Sequence, residues 1–141
     1  MLFQKHVTWG IILLSFFLLL GCAQEIREHE TVTRRGLLYK MGENEPFSGI
    51  VTGRGRETYH TRLMKFRKVY KDGLLDGETL FYYPNGKVES QVPYIQGKIN
   101  GSMMRYWSNG KPRARIHFDH GMRGGARGEM FWDKNGHQIR S

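Results

Sequence analysis

Three groups of side chains in this sequence could do chemistry. Cys22 is the only cysteine in 141 residues, so its thiol has no intrachain disulfide partner and could instead accept an acyl group. Lys65, Arg67, Lys87, Lys111, Arg113 and Arg115 recur at one parity along successive stretches. Aligned on a sheet they would form a basic stripe, a candidate surface for an anionic lipid head group, an acidic protein or a wall polymer. The third group, His117-Phe118-Asp119-His120, gathers two imidazoles and a carboxylate. On a strand His117 and Asp119 would share a face and His120 would point away, which leaves a metal site incomplete. No stretch resembles a nucleophile elbow, and Asp72, Asp76 and Asp133 stand beside turn residues that account for them. The expectation is binding without a cofactor or metal and not catalysis; a hydrolase or metalloenzyme using His117 and His120 is the weakest alternative.

The anchor needs an address. A polar start around Lys5 precedes an apolar run from Ile11 to Leu20, interrupted only by Ser15. That run is too short for a comfortable membrane span and has the shape of a secretory signal. Leu19-Leu20-Gly21-Cys22 resembles the bacterial lipobox. The resemblance implies a signal peptide over 1–21, acylation (palmitate among the chains) on Cys22, and export to a membrane. With Ala23 following in place of an aspartate, it implies the outer membrane in a host that has two. Behind such an anchor the protein would not meet nucleic acid. Residues 22–45, with Glu25, Arg27, Glu28, Glu30, Arg34 and Arg35, read as a polar tether. The net charge of +9 favours acidic partners.

What must position the stripe is a repeat. Gly73-x-x-x-Gly77 recurs as Gly97-x-x-x-Gly101 and Gly121-x-x-x-Gly125, at a period of about 24 residues, and one step back as Gly49-x-x-x-Gly53. Asn85-Gly86, Asn109-Gly110 and Asn135-Gly136 fall between alternating apolar and polar runs, where Asn-Gly predicts type I′ hairpin turns. The first repeat has Thr61-Arg62 at this place, and Gly125 to Gly128 reads as an insertion. The fold expected over 46–141 is all-β: a meander of short antiparallel hairpins forming an elongated, twisted sheet. The theme Tyr70, Gly73, Gly77, Tyr82-Tyr83, Asn85-Gly86-Lys87, repeated as Tyr94, Gly97, Gly101, Tyr106-Trp107, Asn109-Gly110-Lys111, resembles the MORN-variant repeats of the YwqK-type antitoxin family. The resemblance implies a binding or scaffold surface. It also raises a toxin-neutralising alternative, which from behind a lipobox survives only as immunity against an envelope-acting toxin.

Counting by two along the strands separates faces. Met64, Phe66, Tyr70, Val88, Val92, Tyr94, Ala114, Ile116 and Phe118 form the expected apolar face. Glu89 and His117 join the lysines and arginines opposite, with Arg123 and Arg127 extending the stripe. The aromatic pairs Tyr82-Tyr83, Tyr106-Trp107 and Phe131-Trp132 are expected to hold strands together. A thin sheet that buries one face makes self-association an expected possibility as well.

Overall fold

The computed structural model describes residues 23–56, 63–124 and 129–139. The segments expected to be a signal peptide with Cys22, a turn at Thr61-Arg62 and an insertion from Gly125 to Gly128 that includes Arg127 lie outside the described residues. Among the described residues fourteen strands follow one another: β1 Glu25–Arg27, β2 Thr31–Arg34, β3 Leu37–Lys40, β4 Gly49–Gly55, β5 Met64–Lys71, β6 Leu74–Leu75 and β7 Gly77–Tyr82. Then come β8 Val88–Ile95, β9 Lys98–Ile99, β10 Gly101–Tyr106, β11 Pro112–Asp119, β12 Met122–Arg123, β13 Met130–Trp132 and β14 Gln138–Ile139. From β4 onward each strand pairs antiparallel with its neighbour, so the expected meander of hairpins is present.

Two kinds of turn alternate, and they divide the glycines differently from the sequence expectation. Asp72-Gly73, Gln96-Gly97 and His120-Gly121 have positive φ at both residues, the mark of a type I′ turn. In the Asn-Gly turns only the glycine is left-handed: φ is +82° at Gly86 and +91° at Gly110 and Gly136. There Gly86 N donates to the Tyr83 carbonyl (2.9 Å) and Tyr83 N to the Lys87 carbonyl (2.8 Å). The loop is therefore Pro84-Asn85-Gly86, a type I turn closed by a left-handed glycine. Pro84 fits because its fixed φ suits the first central position of that turn. The second glycine of each pair has another task. Gly77 faces Tyr94 and Gly101 faces Phe118, at the bend between a two-residue strand and the long strand after it. Gly49 faces Tyr70 in the same way. Gly49 is thus the counterpart of Gly77, and the Gly49–Gly53 pair is out of step with the others.

A second correction concerns the faces. The β7–β8 register slips between Phe81 and Tyr82, and the β10–β11 register between Arg105 and Tyr106. Glu89 and Arg113 are the extra residues, so each strand carries a bulge just after its Asn-Gly turn. Counting by two fails across a bulge. Val88, expected inside, faces Tyr82, which is opposite Lys65 on its other side, and so lies on the outer face. Glu89, expected in the basic stripe, is 1% exposed and pairs with Arg105 at 2.6 Å.

The inner face holds two apolar clusters. Ile26, Phe47, Val51, Met64, Phe66 and Phe81 form the first; Val92, Met103 and Phe118 form the second. Between them lie the buried polar residues Thr79, Glu89 and Ser90. The expected tether is itself part of the first cluster's cover. β1 pairs in parallel with β4, and Ile26 is buried against Val51. β2 and β3 form a separate hairpin whose Leu38 N donates to the Gly73 carbonyl at 2.9 Å. Apart from half-buried Glu30 the charges of residues 25–35 are on exposed positions, while Ile26 and Leu38 supply enough apolar surface to dock the segment.

Candidate functional site

Arg27 stands on β1 facing Thr52, and Arg54 and Lys65 face each other across β4 and β5. Arg67 lies two residues along β5, opposite Thr52. With Glu28, His29 and Tyr82 these side chains line an open groove of about 830 Å³ at the N-terminal end of the sheet. Lys65 and Arg67 belong to the expected basic set; Arg27, His29 and Arg54 do not. Among the described residues, Arg27, Arg54, Lys65 and Arg67 have no ion pair. The groove's one acid, Glu28, leans over Gly53, where a Cβ would come within 2.8 Å of its carboxylate. Burial pushes the Lys68 ammonium, behind the groove, below the ordinary lysine value, and Glu28 partly offsets the shift. Burial likewise raises the Tyr70 hydroxyl, with Glu28 and Tyr94 adding to it. Lys68 lies 4.2 Å over the Phe66 ring and so belongs to the inner face, not to the groove.

The other four candidate cations have neighbours of their own. Lys87 Nζ donates to the Asn109 carbonyl at 2.9 Å, and Lys111 Nζ to the Asn135 carbonyl at 2.7 Å. The asparagines do the same one residue earlier: Asn85 Nδ2 reaches the Ser108 carbonyl and Asn109 Nδ2 the Lys134 carbonyl. Tyr83 and Trp107 complete the pattern, bonding the carbonyls of Tyr106 and Trp132. Each Asn-Gly-Lys turn therefore clamps the next one. Glycine hydrogen bonds repeat along the other edge: Gly73 N to Phe47 O, Gly97 N to Leu75 O, Gly121 N to Ile99 O. Side chain and backbone thus recur together at one period. Residues 75–96 and 99–120 match the MORN repeat variant. No curated protein and no solved structure matches the chain significantly.

Within the MORN-variant repeats the expected stripe does not form. Lys87 and Lys111 are clamps between turns. Arg113, displaced by its bulge, stacks on Trp107 at 4.5 Å, and Arg115 rests its guanidinium on the Met130 sulfur at 3.2 Å. Arg123 is bound twice by Glu129. His117 is exposed on the outer face, while the His120 ring pairs with Asp119 beside a type I′ turn. Three ligands for a metal do not come together among the described residues.

Two signals for the groove were present in the sequence and pointed elsewhere. Arg27 follows the lone apolar Ile26 in a charged stretch, and this alternation marks a docked strand edge as well as it marks a tether. Arg54 follows Gly53, which replaces the large inner residue found at Phe81 and Arg105 in later repeats. That glycine admits Glu28.

Proposed function

We propose that this chain is an exported, lipid-anchored binding protein of the cell envelope, whose MORN-variant repeats scaffold an anion-binding groove and carry no catalytic centre. The observation that carries the reading is where cations converge without a carboxylate, carbonyl, ring or sulfur to hold them. Arg105 and Arg123 are paired with glutamates, and Lys87, Lys111, Arg113 and Arg115 are held by carbonyls, a ring or a sulfur. Arg27, Arg54, Lys65 and Arg67 have no such partner among the described residues and converge on one concave surface. Converging cations in a concavity raise the local concentration of anions. Acylation of Cys22 is the proposed means of retention at the membrane; an immunity-type protein holding an acidic envelope toxin is a special case of the same binding mode.

Anisotropy of a labelled polyphosphate separates the groove from the stripe. Arg54→Glu with Lys65→Glu is expected to weaken binding roughly tenfold or more, whereas Arg113→Glu with Arg115→Glu leaves it within about twofold. Equal losses in the two variants would return the binding surface to the stripe. Intact mass and membrane partition of the wild type against Cys22→Ser test the anchor separately.

A further inference from the structure

The repeat pattern breaks at two inner positions, and both breaks border one cavity. Phe81 on β7 faces Ser90, and its counterpart on β10 is Arg105, facing Ala114. Leu75 faces Tyr70 and Ile99 faces Tyr94, but at the third such place Arg123 faces Phe118. Arginine thus stands twice where the other repeats carry a large apolar residue. The two guanidiniums line a cavity of about 400 Å³ together with Met103, Ile116, Phe118 and Gly121. Its floor is apolar, with Met103 4% and Phe118 9% exposed. The first inner cluster is covered by Ile26 and Leu38 from the N-terminal segment, whereas the second is built from β8 to β11 alone among the described residues.

Well-packed apolar residues would stabilise the sheet at least as well as arginines that need partners. Both arginines have them: Glu89 Oε1 holds Arg105 at 2.6 Å, and Glu129, 10% exposed, takes Nε and Nη2 of Arg123. We propose that this cavity is a second binding site, for a carboxylate carried on a small apolar or aromatic body. Arg105 and Arg123 donate to the carboxylate, and Met103, Ile116 and Phe118 pack against the body. The site is independent of the anchor and of the basic groove. Its volume is at the small end of ligand pockets. The glutamates set the planes of the guanidiniums, and a planar fork of five N–H donors can serve a second carboxylate. Two arginines and two glutamates sum to zero, so a singly charged head costs less to bring in than a phosphate dianion. The groove on β1, β4 and β5 has the opposite balance, with four cations to the one acid Glu28. A ring suits the floor, because Phe118 and the Met103 thioether both make favourable aromatic contacts. Free arylalkyl acids share this chemistry with protein chains that end in an apolar residue.

The test follows methionine methyl resonances of the full-length chain in phosphatidylcholine nanodiscs. The probes are 3-phenylpropanoate and the peptide acetyl-Gly-Gly-Phe, each against its primary amide. The Met103 methyl is expected to shift saturably with at least one acid, at a dissociation constant of about 1 mM or below, which a ligand of this size reaches at ordinary efficiency. A response to the small acid alone names a free acid as the source, and one to the peptide alone names a chain terminus. The matching amide should bind about tenfold more weakly or worse, having lost the charge-assisted hydrogen bonds. Arg123→Leu, which installs the residue type of Leu75, should weaken the acid by a similar factor. So should Glu89→Met/Arg105→Met, which leaves no buried charge stranded. The Met64 and Met130 methyls report whether each variant is folded, and Arg54→Glu/Lys65→Glu should bind the acid as wild type does. A Met103 methyl that moves with neither acid would overturn the site. Amides that bind as well as the acids, or both arginine variants folded and within about twofold of wild type, would show a merely apolar crevice and overturn it too. Phenyl phosphate binding as tightly as the carboxylates would overturn the choice of ligand.

Discussion

Glu89→Ala should be the most damaging single change to a charged residue in this protein. The Glu89 side chain is 1% exposed and its Oε1 lies 2.6 Å from an Arg105 nitrogen, whose side chain is 18% exposed. At that separation and an effective dielectric constant near 20, the attraction is about 6 kcal/mol. Removing both ions from water costs several kcal/mol each, so the pair as a whole contributes close to nothing beyond what well-packed apolar residues would. Truncating one partner is a different matter. Alanine at position 89 leaves the Arg105 guanidinium in the polar seam between the two apolar clusters without its carboxylate. The expected loss is about 3–5 kcal/mol. Against a total of ~5–15 kcal/mol for a domain, that is a large share of the stability.

Urea denaturation supplies the measurement. With a slope of ~1.5 kcal/mol per molar, the midpoint should fall by about 2–3 M. The double variant Glu89→Met/Arg105→Met should recover most of the loss, giving a large positive coupling in the double-mutant cycle. A Glu89→Ala midpoint within about 0.5 M of wild type would refute the argument, because it would mean that Arg105 reaches water or another anion at little cost. So would a double variant as unstable as the sum of the singles, since the loss would then come from packing at the bulge and not from stranded charge.

Gly77→Ala should cost about 1–3 kcal/mol, because φ is +116° there and a Cβ would come within 3.1 Å of Val69; Gly36→Ala, at φ +81° with open space around it, should cost less, and equal losses in urea would show that the bend is not sterically fixed. Asp133 accepts from the backbone N–H of His137 and of Asn135, at 2.9 and 2.8 Å, and from the His137 ring. The His137 backbone bond is the main reason its pKa falls below the ordinary 3.8. A depressed carboxylate stabilises the folded turn above its unfolded pKa, and that contribution is lost as pH falls through the folded value. The Asn135 and His137 amide shifts should titrate with a midpoint below 3.8 and stop titrating in Asp133→Asn; a midpoint at or above 3.8 contradicts the assignment.

The hairpin meander was legible because its signals are local. Gly-bounded turns and alternating runs set strand number and order, and the 24-residue spacing of Tyr70, Tyr94 and Phe118 marked one inner row correctly. What escaped was long-range. A bulge adds one residue without any sequence mark of its own, yet it moved Val88 out and Glu89 in. Asn-Gly looked like a two-residue turn, but Pro84 and the clamp from Asn85 to Ser108 favour a three-residue one. Lys87 and Lys111 looked like free surface charge because their acceptors are carbonyls one repeat away, and carbonyls leave no trace in a sequence. The groove was missed for a related reason. One of its four cations, Arg27, comes from a segment whose polarity concealed that Ile26 is enough to dock it.

Repetition explains why the groove's cations, unlike Lys87 and Lys111, have no carbonyl to clamp. Inside the array each turn meets a neighbour of its own kind, and evolution of the repeat can satisfy Lys87 and Lys111 with the same carbonyl geometry, 2.9 and 2.7 Å, twice over. The first hairpin, β4–β5, has no preceding repeat to meet. Its neighbour is β1, a parallel strand of different sequence, and no Asn-Gly-Lys sequence joins its two strands. Arg54, Lys65 and Arg67 are therefore released from the duties that hold cations further along, and Gly53 removes the side chain that would fill the space beside them. Terminal units of a repeat array depart from the pattern because they face something other than a repeat. Here the departure is in charge and in side-chain volume together, a combination that capping against water does not require.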